Sequence, residues 1–587
     1  MLFSSFKSSS DYIEIKSDDR SISCHLSSSS PATPFQRAFS SLKDKMKDCL
    51  HSRCASGVHI FSADAGSGKS RAVQSFVREW KETGFPGDGS IIIFLATFDE
   101  IDSFRQSCQL DQSDFACVSA DRKFNQFGLG RSRSNEAKVL FTTHEQARRR
   151  IAEHGGFEAI ASFHYLGKPR TLRLWDEGLD AARPVSFNLN ILEALPTLLR
   201  DVAGSDGLIT AIDALRLDKA QRQAGFILSF PIELRDLAHS IAIPCKKAGL
   251  PSDILQAVEG LAHLAGQRAI LRKERKGLMV VGAGEPIPND LAPLIIFDAS
   301  ARLRRSYRYW ADRCSNVNFL HMAVADYSAM ELHWWDRSAG KSSLADPVER
   351  QRIVAVAAEL INNSDAEWLV IHQKKVESRF NGVSYCVADE IQEKLHTQAK
   401  ARFIHWGKHI ASNEHRDIKN VLIIGGNHYP YQGYEAIYMA ATGTLANIDK
   451  AAVGMIGAYE FAHHVYQAAC RSNLRNMNSE AAGTANVYLI AANRGGRKEA
   501  LEEAFPNCTM YDWTPVPPKR KKKVQIVMDT MMALFSNGRL VVTTKELWQA
   551  CGGKNADYLK RIWQDSSLAE FMTDKGIRRR GNKLIIG

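Results

Sequence analysis

The chain has 587 residues, 44% of them apolar and 24% charged, and a formal net charge of +11. The length exceeds one ordinary core and predicts roughly three to five domains, while the composition excludes fibrous and low-complexity classes. No apolar run approaches the ~20 residues that cross a bilayer, and Met1-Leu2-Phe3 leads into serines without the order of a secretory signal, so a cytoplasmic protein is expected, nuclear if the cell is eukaryotic.

From the N-terminus, residues 1–30 are serine-rich and predict a frayed arm. A helical pattern over 33–54 precedes Gly57-Val58-His59-Ile60-Phe61, a short buried strand. Ala63-Asp64-Ala65-Gly66-Ser67-Gly68-Lys69-Ser70 follows, and then a helix over 71–81. A strand, a glycine-rich turn and a helix N-terminus make a phosphate cradle. Gly66 and Gly68 permit the turn, so that the backbone N–H groups of Ala65 to Ser70 face phosphate oxygens. In that cradle Lys69 reaches the β- and γ-phosphates of ATP, and the Ser70 hydroxyl holds Mg²⁺.

Apolar runs then alternate with helical stretches: Ile91-Ile92-Ile93-Phe94-Leu95, Lys138-Val139-Leu140-Phe141 and Thr171-Leu172-Arg173-Leu174-Trp175. The last ends in Asp176-Glu177, two carboxylates at the edge of a sheet. Asp176 is expected to hold Mg²⁺ through water, and Glu177 to polarise the attacking water. Residues 179–290 show helical periodicity, as over 191–202, 254–264 and 268–275, and predict an inserted helical subdomain. Leu294-Ile295-Ile296-Phe297, Trp368-Leu369-Val370-Ile371, Val421-Leu422-Ile423-Ile424 and Val487-Tyr488-Leu489-Ile490 read as further strands. Short continuous apolar strands separated by helices predict parallel sheets covered on both faces. The expected fold is therefore two α/β lobes, 31–178 with 291–305 and then 306–513, interrupted by the insertion.

In the second lobe Gln467, Arg471 and Arg475 stand at i, i+4 and i+8, which predicts one helical face. Arginines brought from a second lobe neutralise charge on the transferring phosphoryl group. His463-His464 are adjacent and point about 100° apart on a helix, a poor metal pair. The eleven cysteines show no Cys-x-x-Cys spacing and read as reduced thiols. Pro515-Val516-Pro517-Pro518 and Lys519-Arg520-Lys521-Lys522-Lys523 make a stiff basic linker over 514–523. From Pro515 onward 15 Lys/Arg face 6 Asp/Glu, so the tail holds most of the surplus charge.

The P-loop, the Asp-Glu box and the Gln-Arg-Arg block, in this order, resemble the superfamily 2 helicases and translocases, and the resemblance covers about 33–475 apart from the insertion. It implies two RecA-like lobes that hydrolyse ATP between them and move along or remodel nucleic acid, DNA before RNA. Pro31-Ala32-Thr33-Pro34-Phe35-Gln36 is similar to the Q motif, whose glutamine reads adenine. Ala96-Thr97-Phe98 and Phe141-Thr142-Thr143-His144 are similar to first-lobe motifs that touch the nucleic-acid backbone, and Asp298-Ala299-Ser300 stands where the coupling motif belongs. Val370-Ile371-His372-Gln373-Lys374 resembles motif IV, and Trp406 to Asn413 motif V. The resemblance thus assigns Thr97, Thr143, His372 and Asn413 to the strand. Gly178-Leu179 after the Asp-Glu pair, Ala411 in the fifth motif and Cys470 in the arginine block depart from the pattern, as in a divergent phage, plasmid or bacterial-defence branch. Gly178-Leu179 removes a polar link between ATP and the coupling motif.

Residues 524–587 are similar to a winged helix: three helices, over 524–535, 545–550 and 555–564, then a hairpin turning at Gly581-Asn582. Lys554, Lys560, Arg561, Arg578, Arg579 and Arg580 would track phosphates. A partner protein docking on this domain or on the insertion is the other use. Two further readings stay open: an ATP-switched binding or signalling protein with little unwinding, and a replication initiator that recognises its site through the winged helix.

Overall fold

A computed structural model describes residues 32–274, 277–377, 384–407, 414–515, 522–536, 538–551 and 562–586. The N-terminal arm, most of the linker, Lys408 to Asn413, Lys554, Lys560, Arg561 and residues 555–561 of the helix expected at 555–564 lie outside the described residues. The chain divides into a unit ending at Trp513 and a second unit from Thr514.

The first lobe opens with α1 (Pro34–Leu50), N-capped by Thr33. It continues through β1 (Val58–Phe61), α2 (Lys69–Glu82), β2 (Ile91–Leu95), α3 (Phe98–Ser107), β3 (Phe115–Val118), β4 (Val139–Thr143), α4 (His144–His154) and β5 (Leu172–Asp176). β1 to β4 consist almost wholly of buried residues. Ile60, Ile92 and Leu140 pack into one core, and Phe61, Ile93 and Phe141 into another, which accounts for their continuous rather than alternating apolar pattern.

The insertion holds β6 (Arg183–Asn188), α5 (Leu189–Leu198), α6 (Asp206–Ala214), β7 (Ile227–Ser229), α7 (Leu234–Lys247), α8 (Ser252–Leu264), β8 (Arg268–Glu274) and β9 (Gly277–Gly284). Its helices were expected; the four-stranded antiparallel sheet, ordered β6-β9-β8-β7, was not. The helix expected over 268–275 is strand β8. Ala269 and Leu271 enter the insertion's own core, while Ile270 points the other way with Val281 against Ala436 and Met439 of the second lobe. Both faces are buried, so Ala-Ile-Leu carries no periodicity to separate a strand from a helix.

The chain re-enters the first sheet with β10 (Leu294–Phe297), then runs through α9 (Arg305–Arg313) to β11 (Val317–Phe319). The seven strands are all parallel in the order β11-β1-β10-β5-β2-β4-β3. β11 pairs with β1, so the first sheet takes a strand from beyond the expected break after Arg305. One strand, β10, separates the P-loop strand from the strand that ends in Asp176.

The second lobe comprises β12 (Met330–Asp336), α10 (Pro347–Asn362), β13 (Trp368–His372), β14 (Ala401–His405), β15 (Asn420–Ile424), α11 (Tyr431–Thr442), α12 (Lys450–Ala469), β16 (Ala485–Ala491), α13 (Arg497–Ala504) and β17 (Thr509–Asp512). Its six strands are also all parallel, ordered β14-β13-β15-β16-β12-β17. One core runs from Phe61 and Phe297 of the first lobe to Leu332, Phe461 and Val487 of the second. The fold is two RecA-like α/β lobes in contact.

The second unit has α14 (Lys522–Ser536), β18 (Val541–Thr543), α15 (Thr544–Ala550), α16 (Ser566–Asp574), β19 (Ile577–Arg580) and β20 (Lys583–Ile586). The hairpin turns at Gly581-Asn582 as expected, and β18 adds to it in the antiparallel order β18-β20-β19. Val527, Met531, Leu547 and Leu584 form its core.

Candidate nucleotide site and nucleic-acid face

The P-loop leaves β1 and turns through Gly66 and Gly68, whose φ values of +86° and +93° lie in the left-handed region that glycine adopts without a Cβ clash. A Cβ on Gly66 would stand 2.0 Å from the Arg475 carbonyl oxygen, so the second lobe's backbone lies directly against the loop. α2 begins at Lys69, whose ammonium donates to the carbonyls of Ala63 (2.6 Å) and Asp64 (3.3 Å). Burial, with Arg475 nearby, lowers Lys69 to about 8. The buried Ser67 hydroxyl finds no hydrogen-bond partner among the described residues. A turn of glycines, an orphaned hydroxyl and a desolvated ammonium at a helix N-terminus together fit a phosphate group.

β5 delivers Asp176 and Glu177 to the same edge of the sheet. Glu177 sits at φ +67°, a backbone region costly for a residue with a side chain. Its N–H donates to the Phe297 carbonyl of β10 at 2.8 Å, which helps to hold that geometry. Burial and the neighbouring Glu100 carboxylate raise Asp176 to about 6, and burial with Asp176 beside it raises Glu177 to about 7. Both carboxylates would gain from a cation. Ser70 and Asp176 line one small hollow with Val73, Ile93, Phe104, Leu174 and Phe297, and their oxygens are the hard donors that Mg²⁺ takes.

Arg471 and Arg475 reach this site, but not from one helical face. α12 ends at Ala469 with Cys470 as its C-cap, Arg471 follows in a turn, and Arg475 closes a short 3₁₀ segment, Asn473–Arg475. Ser472 ends the helix: its hydroxyl donates to the Ala469 carbonyl (2.7 Å) and accepts from the Leu474 N–H (3.4 Å), a local alternative to the helical ladder. Gln467 remains in the helix, with its side-chain oxygen 3.5 Å from Arg471. Burial and Arg475 lower Arg471 to about 10, and the Glu177 carboxylate opposes that shift. The structure therefore brings Lys69, Asp176, Glu177, Arg471 and Arg475 together from two lobes.

The sequence reading missed the scaffold around them. Asp64, in the P-loop itself, is fully buried; it pairs with Arg302 at 3.0 Å and accepts from the Ala325 N–H and the Tyr327 hydroxyl. The Tyr466 hydroxyl of α12 accepts from the Ala65 N–H at 2.7 Å. Ser300 donates its hydroxyl proton to Asp298 at 2.6 Å, which leaves His463 Nδ1–H to donate to Ser300 at 2.7 Å. An acid inside an anion-binding loop was the available signal for Asp64.

The expected nucleic-acid contacts are placed less uniformly. Thr143 ends β4 and Thr97 lies two residues past the end of the adjacent β2, and each hydroxyl caps the following helix by accepting from the N–H of Gln146 or Glu100. His372 is buried, with Nδ1 2.8 Å from the Gln373 carbonyl. Gln36 is exposed and closes a capping box with Thr33. Arg578, Arg579 and Arg580 are exposed on β19, with the Arg579 guanidinium 4.5 Å from the centre of the Trp563 ring. Among the described residues no cluster of three or more His, Cys, Asp or Glu side chains could hold a metal by itself, and no helix is long and apolar enough to cross a membrane.

No known family model matches the chain, and no curated protein sequence matches it. Among solved structures, S. tokodaii Xpd4 is similar over 81% of this chain and 99% of its own, at 10% identity and a TM-score of 0.42. S. cerevisiae Dbp5 bound to RNA and ADP BeF3 is similar over 82% and 93%, at 10% identity and 0.33. Mycobacterium smegmatis helicase Lhr bound to ssDNA and AMP-PNP is similar over 95% of this chain and 60% of its own, at 11% identity and 0.28.

Proposed function

We propose that this chain is an ATP-dependent nucleic-acid helicase or translocase that hydrolyses ATP between its two lobes. The observation that carries the reading is the convergence of P-loop and Asp176-Glu177 from one lobe with Arg471 and Arg475 from the other. Lys69 and the N–H groups of the loop bind the phosphates. Ser70 and Asp176 would hold Mg²⁺, which would supply Lewis-acid stabilisation of the phosphate oxygens. Glu177, raised to about 7, is tuned to accept a proton from the attacking water near neutral pH. Arg471 and Arg475 neutralise charge that builds on the transferring phosphoryl group, and Gln467 steadies Arg471. Because the arginines arrive with the second lobe, hydrolysis and lobe position are linked, and that linkage is what moves a strand.

The strand is expected near Thr97, Thr143 and His372, with Asn413 of the same motif set, and Lys554 belongs with the second unit's contacts. Arg578 to Arg580 add phosphate contacts from a winged-helix-like second unit. The test is phosphate release by wild type and Glu177→Gln across single- and double-stranded DNA and RNA. Wild type should be stimulated by at least one of these, and the variant should bind ATP without turnover. Hydrolysis that no nucleic acid stimulates would sink the reading.

The core shared between the lobes favours a second reading, an ATP-switched binding protein. It expects nucleotide to change affinity for nucleic acid or a partner protein without strand movement, and a strand-displacement assay separates the two.

A further inference from the structure

Gly178 and Leu179 stand where the helicase pattern they resemble has Ala-Asp or Ala-His, and the space is not left empty. A Cβ on Gly178 would lie 2.6 Å from Arg304 Nη1 and 3.3 Å from Asp298 Oδ2. Arg304 is buried, and its guanidinium is held at both ends. Nη2 donates to Asp180 of the first lobe at 2.8 Å, and Nε donates to Glu460 of the second lobe at 3.0 Å. Such double anchoring leaves little freedom to swing away from an added methyl group.

Glu460 lies on α12, the helix that leads into Arg471. His463 is three residues further along it and donates to Ser300, and Tyr466 three more, where its hydroxyl accepts from the Ala65 N–H. One stripe of α12, at i, i+3 and i+6, therefore meets three parts of the first lobe: Arg304, and through it Asp180 after the Asp-Glu box, the Asp298-Ser300 turn and the P-loop.

Resting on the ATP-hydrolysis reading above, we propose that Arg304 is a positioning residue, admitted by the missing side chain of Gly178, that registers α12 so that Arg471 stands beside Glu177. It supplies the polar link whose loss the sequence Gly178-Leu179 suggested. Arg304 touches no reacting atom; it acts through the helix.

The test is a double-mutant cycle on the full chain: Gly178→Ala, Arg304→Gln and both together. Gly178→Ala keeps every charge and presses hardest on the guanidinium, so it remains informative if Arg304→Gln folds poorly. Each single change should lower kcat for nucleic-acid-stimulated ATP hydrolysis by about 10- to 100-fold, the range for a misplacement near 1 Å. KM for ATP and affinity for a fluorescent ADP should stay within about threefold. The double variant should be no slower than the singles, and Arg304→Lys, which keeps the charge but not the fork, should fall between. Losses that multiply in the double variant, or a loss confined to ADP affinity, would overturn the proposal. If wild type binds ADP but releases no phosphate, the hydrolysis reading fails by itself. The cycle is then read on nucleotide-induced change in distance between fluorophores on the two lobes, and an unaltered change in Gly178→Ala would overturn the positioning role.

Discussion

Replacing Glu177 with glutamine should stabilise the nucleotide-free protein at alkaline pH. Burial, and then the Asp176 charge, raises Glu177 from 4.5 to about 7. The folded pKa lies above the unfolded one, so the native state keeps the proton longer. Stability is fully present below about 4.5 and is lost as pH rises through about 7. Each pH unit between is worth about 1.4 kcal/mol, a ceiling of about 3 kcal/mol. The side chain is partly exposed, and solvent screening brings the working figure to about 1–2 kcal/mol. Glutamine mimics the protonated form and has nothing to lose on titration. Thermal unfolding without nucleotide or magnesium, from pH 5 to pH 8.5, should show the variant level with wild type at the acid end. It should melt about 1–2 °C higher at the alkaline end. A difference that is flat across pH, or a variant that melts lower at pH 8.5, would refute the claim that the carboxylate is held in a place that disfavours its charge.

Arg471→Ala should lower kcat for ATP hydrolysis by about 10³ while changing ADP affinity less than tenfold; an equal loss in both would place Arg471 in binding rather than in charge neutralisation. Arg170, fully buried, donates to six backbone carbonyls, among them Phe163, Ala137 and Ser134, with burial lowering its guanidinium to about 9. Arg170→Met removes those bonds and should cost about 3–5 kcal/mol in urea unfolding, and a cost under about 1 would contradict the network's role. His144, stacked on Trp175 at 4.4 Å, is lowered to about 4 by burial. Its folded pKa lies below the ordinary 6.5, so its contribution is complete above about 6.5 and is lost as pH falls towards 4. Wild type should therefore lose stability more steeply than His144→Gln over that interval, and parallel curves would show that the imidazole is not held neutral.

The parts of the site that a short string encodes were legible in the sequence. Gly66, Gly68 and Lys69 lie within one turn, and Asp176-Glu177 ends one apolar strand, so local chemistry identified them. Arg471 and Arg475 read in the sequence as one helical face and do not share one in the structure, because the stop signal was a single serine hydroxyl turning back on the helix. The insertion's sheet was hidden for a different reason: strands buried on both faces lose the alternation that marks a strand. Asp64, Arg302 and Arg304 were out of reach. Their partners lie 238, 156 and 124 residues away, and a lone arginine after Asp298-Ala299-Ser300 says nothing about which carboxylate it will meet.

The insertion's outer face has a consequence for inheritance. Ile270 and Val281 leave the first lobe's chain to pack on Ala436 and Met439 of α11, and Arg272 pairs with Glu435 at 3.5 Å. The insertion is thus half of a seam whose other half is written about 150 residues later. Removing 183–284 would strip the cover from α11 as well as the insertion's own core. Grafting the insertion into another two-lobed chain would need α11 to travel with it. The two segments form one module split across the gene, and a substitution in either is tested against the other.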